Sequence, residues 1–146
     1  MMNKLIVGIL SLVAATAQAQ NTSNNPVLAL NQQQNDSILE NKTDSVSPQE
    51  AATLFSEKKA VIVDVREDDE WNQQHIPGAI HIPLGQLLGR LTELEQYKNT
   101  PIITQCQKGG RSQQALTVLK SLKFSKVYNL EGGIDAWNKA GLKTSQ

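Results

Sequence analysis

The chain has 146 residues, with 14 basic and 14 acidic side chains, so its formal net charge is zero. This length suits one domain of ordinary size. The balanced charge argues against a nucleic-acid-binding protein, because such proteins carry an excess of basic residues. The chain has a single cysteine, which excludes a disulfide within the chain.

The first 19 residues have the pattern of a secretory signal peptide. Lys4 gives a basic start, residues 5–15 form an apolar run, and Ala17-Gln-Ala19 is a typical cleavage site. The apolar run is too short to cross a bilayer as a stable helix. We therefore expect a periplasmic or secreted protein, cleaved near Ala19 and without a stable membrane span; an uncleaved N-terminal anchor is the alternative.

Residues 20–45 are predicted to form a disordered linker. Ten of these 26 residues are Asn or Gln, and such a segment has little apolar surface to offset the entropy lost on ordering. The folded domain is predicted to cover residues 46–143.

Helices and strands are predicted to alternate through this domain. Ser47-Pro-Gln-Glu50 has the pattern of a capping box and begins a helix to about Lys58. The continuous apolar run Ala60–Val65 is typical of a strand covered on both faces of a parallel sheet. The remaining predicted elements are a helical turn around Trp71, a strand over 79–82, a helix over 84–94, a strand over 101–106, a helix over 112–123, a strand over 127–130 and a helix over 133–140. This alternation predicts an α/β fold with a parallel sheet, which binds ligands at the carboxyl ends of its strands.

The segment around Cys106 carries the pattern expected of a reactive thiol. Cys106 ends a predicted strand, and four residues, two of them glycine, separate it from Arg111. A strand, a tight loop and a helix N-terminus together direct backbone N–H groups and the positive end of a helix dipole at one point. Such surroundings lower the pKa of a thiol and favour the nucleophilic thiolate. A buried structural cysteine, the simpler alternative, requires neither the glycines nor the cations Lys108 and Arg111.

Four motifs, in this order, resemble the small single-domain form of the rhodanese family. They are Asp64-Val-Arg66, Glu70-Trp71 with His75-Ile-Pro-Gly-Ala-Ile-His-Ile-Pro83, the loop from Cys106 to Ser112, and Glu131-Gly-Gly-Ile-Asp-Ala-Trp137. The resemblance covers roughly residues 46–143. It implies a central five-stranded parallel sheet flanked by helices, with a short edge strand at Val46.

The same resemblance implies sulfurtransfer without a metal or organic cofactor. Cys106 would take a sulfane sulfur from thiosulfate, or from a similar small anionic donor, and pass it as a persulfide to cyanide or a thiol. The donor would be held by backbone N–H groups of five residues, namely Gln107, Lys108, Gly109, Gly110 and Arg111. Arg111 would close the loop by charge-assisted hydrogen bonding. Family members often have Arg where this chain has Gln107, so the choice of donor is open.

Several other polar residues lie near the predicted site. Asp64 and Arg66 follow a strand end; they could line the edge of the site, but the favoured interpretation is a hydrogen-bonded or ionic brace for neighbouring loops. His75 and His81 suggest a Cys–His pair, but structural hydrogen bonding is favoured for both. Gly132-Gly133 is predicted to form a turn before the last helix.

Three rival functions follow from the same residues. Cysteine phosphatases and arsenate reductases are the nearest enzymatic alternative, but a cysteine phosphatase loop has five residues between Cys and Arg. A rhodanese-like binding or regulatory module without turnover is a second alternative, which the retained Cys106 argues against. A thiol–disulfide role usually requires a resolving cysteine. We expect a monomer, because nothing in the sequence indicates an obligate interface.

Overall fold

A five-stranded parallel sheet organises residues 37–146, the part of the chain that the structure, a computed structural model, describes. The strands are β1 (Ser45–Val46), β2 (Val61–Asp64), β3 (Ile80–His81), β4 (Ile102–Gln105) and β5 (Val127–Leu130). Their order in the sheet is β1-β5-β4-β2-β3, and every pairing is parallel. The predicted α/β fold with five parallel strands is therefore confirmed, including the short edge strand at Val46.

Strand β4 is central in the sheet, and its carboxyl end leads directly to Cys106. All four of its residues are buried. Asp64 of β2 is in register with Gln105 of β4, and Thr104 of β4 is in register with Asn129 of β5. Because parallel strands end at the same edge, this register brings Asp64, Cys106 and Asn129 to one end of the sheet.

Within the described residues, four α-helices flank the sheet after the short helical segment at residues 37–40. They are α1 (Pro48–Ser56), α2 (Asp68–Gln73), α3 (Gly110–Ser121) and α4 (Gly133–Lys139). The predicted capping box is present in α1, since the Ser47 hydroxyl accepts from the Glu50 N–H at 3.2 Å and the Glu50 carboxylate accepts from the Ser47 N–H at 2.9 Å. Buried side chains of α3 and of the segment after β3 form one hydrophobic cluster, and those of α1 and α4 form the other.

Two predicted helices differ from the structure. The segment predicted as a helix over 84–94 forms two 3₁₀ helices, Leu84–Gln86 and Leu88–Tyr97, and Arg90 interrupts the second with φ −118° and ψ 17°. Gly85 and Gly89 explain the weak α-helical character, because glycine disfavours a helix interior. The helix predicted to begin at Ser112 begins two residues earlier, at Gly110.

The residues just before the predicted domain boundary contact the domain. Residues 37–40 are helical, and Ile38 and Leu39 pack against the hydrophobic cluster under α1 and α4. The Asp44 carbonyl accepts from the Asn129 N–H at 2.8 Å. The contacts of the domain therefore begin before Val46. The predicted signal peptide and residues 20–36 of the predicted linker lie outside the described residues. Among the helices that are described, none has the length and hydropathy needed to cross a membrane.

Candidate active site

Cys106 lies at the base of the loop that joins β4 to α3, which we call the Cys106 loop (residues 106–111). Its side chain is almost fully buried, its Sγ accepts a hydrogen bond from the Gly109 N–H at 3.1 Å, and the Ser112 hydroxyl oxygen lies 3.2 Å from the same sulfur. Burial raises the pKa of the thiol, but hydrogen bonds from Ser112, Gly109 and Lys108 outweigh it, so the pKa lies below its ordinary value. Compared with a free cysteine, the loop therefore stabilises the thiolate, which is the form that acts as a nucleophile.

Gly109 gives the Cys106 loop its shape. It precedes α3 with φ 114°, a left-handed conformation that side chains other than glycine rarely adopt. This turn directs the Gly109 N–H at the sulfur and places Arg111 in the first turn of α3. Of the five N–H groups predicted to hold the donor, that of Gly109 contacts the Cys106 sulfur; the binding of a donor by the loop stays a prediction.

Ser112 and Asn129 form a pair beside the sulfur that the sequence analysis did not identify. The Ser112 hydroxyl lies 2.6 Å from Asn129 Oδ1, and Asn129 Nδ2 donates to the Gly109 carbonyl at 3.1 Å. Ser112 could have been proposed as a site residue from its place after Arg111. Asn129 could not, because only the register of β5 beside β4 brings it to the loop.

The start of α4 packs directly against the Cys106 loop. The Ile134 N–H donates to the Cys106 carbonyl at 2.9 Å, and the Asp135 N–H donates to the Gln107 carbonyl at 3.2 Å. Gly133 makes this approach possible, since a Cβ at this position would lie 2.4 Å from the Cys106 carbonyl oxygen. The predicted turn at Gly132-Gly133 therefore also supports the loop that carries the thiol.

Asp64 and Arg66 form a buried ion pair behind the Cys106 loop. Arg66 Nη2 and Asp64 Oδ2 are 2.7 Å apart, with side chains 2% and 0% exposed. Arg66 Nη1 donates to Gln107 Oε1 at 3.4 Å, and Gln107 Nε2 donates to the Asp135 carboxylate. Gln107 thus connects the Asp64–Arg66 pair to α4, because its side chain hydrogen-bonds to both Arg66 and Asp135.

Arg111 is paired with a carboxylate of the chain itself. Its Nη1 and Nη2 donate to the two oxygens of Glu70 at 2.6 and 2.7 Å, which joins α3 to α2. These hydrogen bonds lower the pKa of Glu70 to about 2, and the same contact raises the pKa of Arg111. Sequence analysis assigned Arg111 to the loop but gave no role to Glu70, which lies 41 residues earlier.

The Glu70–Arg111 pair predicts an acid-sensitive contribution to stability. The pKa of Glu70 is about 2 in the folded chain and near 4.5 without the contact, so the stabilisation is complete above pH 4.5 and is lost as the pH falls towards 2. We expect Glu70→Gln to be less stable than the wild type at pH 7, with the difference shrinking between pH 5 and pH 2. Urea unfolding at several pH values measures this, and a difference independent of pH would contradict it.

The two histidines form structural contacts around Trp71. The rings of His75 and His81 stack on the indole of Trp71 at centroid distances of 3.9 and 4.5 Å. His75 Nδ1 lies 3.0 Å from the Trp71 carbonyl oxygen, and His81 Nε2 lies 2.8 Å from the Arg66 carbonyl oxygen. These contacts agree with the structural interpretation of both histidines rather than with a Cys–His pair.

Lys108 and Gly110 are the exposed residues of the Cys106 loop. Lys108 lies outside the ion pairs that neutralise Arg66 and Arg111. It is therefore the cation of the loop that is available to an anion arriving from solvent. Across residues 37–146, His, Cys, Asp and Glu side chains form no cluster that could hold a metal ion.

The chain is similar in sequence to a known domain family and to several known proteins. The sequence model of the rhodanese-like domain matches residues 47–140. YrkF of Bacillus subtilis (strain 168) is 40% identical over 82 residues, which is 56% of this chain but only 43% of YrkF. The thiosulfate sulfurtransferase GlpE of Tolumonas auensis is 32% identical over 92 residues, which is 63% of this chain and 85% of GlpE.

Solved structures share the fold. A rhodanese-related protein from Thermoplasma volcanium superposes with a TM-score of 0.64 at 26% identity, over 70% of this chain and 98% of that one. A rhodanese-like domain protein from Staphylococcus aureus gives a TM-score of 0.62 at 30% identity, over 71% of this chain and all of that one. The sheet, the Cys106 loop and the matched sequence lead to one conclusion: the chain belongs to the family of rhodanese-like domains.

Proposed function

We propose that this chain is a sulfurtransferase in which Cys106 carries a sulfane sulfur as a persulfide. The observation that carries the proposal is the surroundings of the Cys106 sulfur, which is buried and hydrogen-bonded by the Gly109 N–H and the Ser112 hydroxyl. Such donors stabilise a sulfur anion. The name of the GlpE relatives, thiosulfate sulfurtransferase, supports the same chemistry.

The first step of the proposed reaction loads the cysteine. The Cys106 thiolate attacks the outer sulfur of thiosulfate, the sulfur–sulfur bond of thiosulfate breaks, and sulfite leaves with the bonding electron pair. The product is the Cys106 persulfide, whose terminal sulfur carries the negative charge. The N-terminus of α3 and the N–H groups of the Cys106 loop stabilise that charge.

The second step unloads the cysteine. Cyanide or a thiolate attacks the terminal sulfur of the persulfide, the bond to Cys106 Sγ breaks, and thiocyanate or a new persulfide leaves. The Cys106 thiolate is restored, and the lowered pKa makes it a good leaving group. No proton has to move in either step, so the route requires no histidine beside the sulfur.

The proposal predicts a specific role for Lys108. Because Arg66 and Arg111 are already paired with carboxylates, the exposed Lys108 supplies the net positive charge that attracts an anionic donor. We expect Lys108→Gln to raise the KM for thiosulfate about three- to tenfold with little change in kcat, an effect of roughly 1 kcal/mol.

Steady-state formation of thiocyanate from thiosulfate and cyanide tests both the proposed function and the role of Lys108. Lys139→Gln is the matched control, since it removes one positive charge at the end of α4. An active wild type whose KM is unchanged in Lys108→Gln would refute the role of Lys108. A wild type that forms no thiocyanate would refute thiosulfate as the donor and favour a binding role.

A further inference from the structure

The Ser112 hydroxyl faces two acceptors but has only one hydrogen. Its oxygen lies 2.6 Å from Asn129 Oδ1 and 3.2 Å from Cys106 Sγ. A serine hydroxyl can donate one hydrogen bond at a time. Ser112 therefore cannot donate to Asn129 and to the Cys106 sulfur at once, and the two acceptors compete for the same hydrogen.

The orientation of Asn129 is fixed by a neighbour that can only accept. Asn129 Nδ2 lies 3.1 Å from the Gly109 carbonyl oxygen, which has no hydrogen to donate. The amide nitrogen must face Gly109, so the amide oxygen must face Ser112. The contact between Asn129 and Ser112 is consequently one in which Ser112 donates.

The favoured direction of the Ser112 hydrogen depends on the charge of the Cys106 sulfur. When Cys106 is a thiol or the inner sulfur of a persulfide, Sγ is a weak acceptor and the hydrogen turns to Asn129 Oδ1. When Sγ is a thiolate, a hydrogen bond to the charged sulfur is the stronger of the two, and the hydrogen turns to Sγ.

We propose that Asn129 is a positioning residue for the Ser112 hydroxyl. Asn129 Oδ1 accepts the Ser112 hydrogen bond while Cys106 Sγ is neutral, and Ser112 donates to Sγ instead when that sulfur becomes an anion. Asn129 acts through Ser112 and does not touch the reacting sulfur atoms. Because Asn129 competes for the hydrogen, it limits how far Ser112 stabilises the thiolate. While Cys106 carries the persulfide, Asn129 Oδ1 accepts the hydrogen bond from Ser112.

For the transfer step, the inference rests on the proposed function. The acceptor thiolate forms a bond to the terminal sulfur, the bond between that sulfur and Sγ breaks, and its electron pair stays on Sγ. The Ser112 hydrogen rotates from Asn129 Oδ1 to Sγ, and no proton leaves Ser112. For the free enzyme the inference concerns only the thiol and thiolate of Cys106, and therefore holds or fails independently of any sulfur donor.

The test is the rate at which iodoacetamide alkylates Cys106 as a function of pH, followed by mass, because this rate reports the thiolate fraction. Below the midpoint of the wild-type profile, Ser112→Ala is expected to react about tenfold more slowly, since it loses a hydrogen bond to a charged group. Asn129→Ala is expected to react about threefold faster, since Ser112 then donates to the thiolate without competition.

The double variant Ser112→Ala/Asn129→Ala separates positioning from a structural role. It is expected to react at the same rate as Ser112→Ala, because Asn129 has no effect once the hydroxyl is gone. A general distortion of the Cys106 loop through the Gly109 carbonyl would persist in the double variant. An Asn129→Ala effect that survives there, or one that slows alkylation, would overturn the proposal.

A control variant and the charged neighbours complete the design. Gln113→Ala removes another partner of Asn129, at 3.3 Å, and is expected to leave the profile unchanged. The charged side chains around the loop are the same in every variant, namely Arg111 with Glu70, Arg66 with Asp64, Asp135 and the exposed Lys108. Because alkylation needs no sulfur donor, a wild type without sulfurtransferase activity would refute the proposed function and still allow this test.

Discussion

Cys106→Ser is expected to lower kcat/KM for thiocyanate formation roughly a thousandfold or more. A serine hydroxyl is not ionised near neutral pH and cannot carry a persulfide, so both proposed steps are lost. The substitution exchanges only sulfur for oxygen, and the hydrogen-bond donors at Gly109 and Ser112 remain in place. The measurement is the rate of thiocyanate formation at saturating cyanide over a range of thiosulfate concentrations.

The folded state of Cys106→Ser must be checked beside its activity. Oxygen is smaller than sulfur, so we expect a change of at most about 1 kcal/mol in the free energy of unfolding. A variant that folds with the wild-type stability and is inactive supports a catalytic Cys106. A folded variant that retains more than about a tenth of the wild-type rate would contradict the persulfide route, because this chain has no second cysteine.

Gly133→Ala is expected to lower the free energy of unfolding by about 4 kcal/mol or more and to abolish activity. Two physical effects combine at this position. Gly133 has φ +60°, which is strained for alanine. The added Cβ would also lie 2.4 Å from the Cys106 carbonyl oxygen and 2.5 Å from the Gln107 carbonyl oxygen. Because these are backbone atoms, the Cys106 loop itself has to move.

Urea unfolding of two control variants separates the backbone strain from the steric contact of the added Cβ. Gly141 has φ +72° but open space around a Cβ, so Gly141→Ala is expected to show only the backbone strain, about 1–2 kcal/mol. Gly85 has open space and no positive φ, so Gly85→Ala is expected to leave stability unchanged or slightly raised. If Gly133→Ala lowers the free energy of unfolding no more than Gly141→Ala does, the close packing of α4 on the Cys106 loop does not explain the glycine at position 133.

Local patterns were sufficient for much of the fold. The capping box at Ser47, the apolar run around Ile62 and the glycine-rich loop after Cys106 each depend on residues close in sequence, and each is found where it was predicted. The segment predicted as one helix over 84–94 is helical but of the 3₁₀ type, because the spacing of Leu84, Leu87, Leu91 and Leu94 fits both helix types. Leu87 and Leu94 are buried whereas Leu88 is 67% exposed, and the backbone departs from helical geometry at Arg90.

The surroundings of the thiol could not be read from local patterns. Glu70 reaches Arg111 across 41 residues, and Asn129 reaches Ser112 across 17. In both cases the order and register of the strands determine the contact, and no local sequence motif predicts it. The sequence therefore indicated the candidate nucleophile Cys106, while the contacts of Asn129 and Glu70 became apparent only when β5 and α2 were placed beside the Cys106 loop.

The mass of the intact protein before and after incubation with thiosulfate shows whether Cys106 takes up a sulfane sulfur. We expect a gain of one sulfur, about 32 Da, that is removed by cyanide or dithiothreitol and absent in Cys106→Ser. A wild-type mass that stays unchanged in excess thiosulfate would contradict thiosulfate as the sulfur donor. A gain that persists in Cys106→Ser would contradict Cys106 as the carrier.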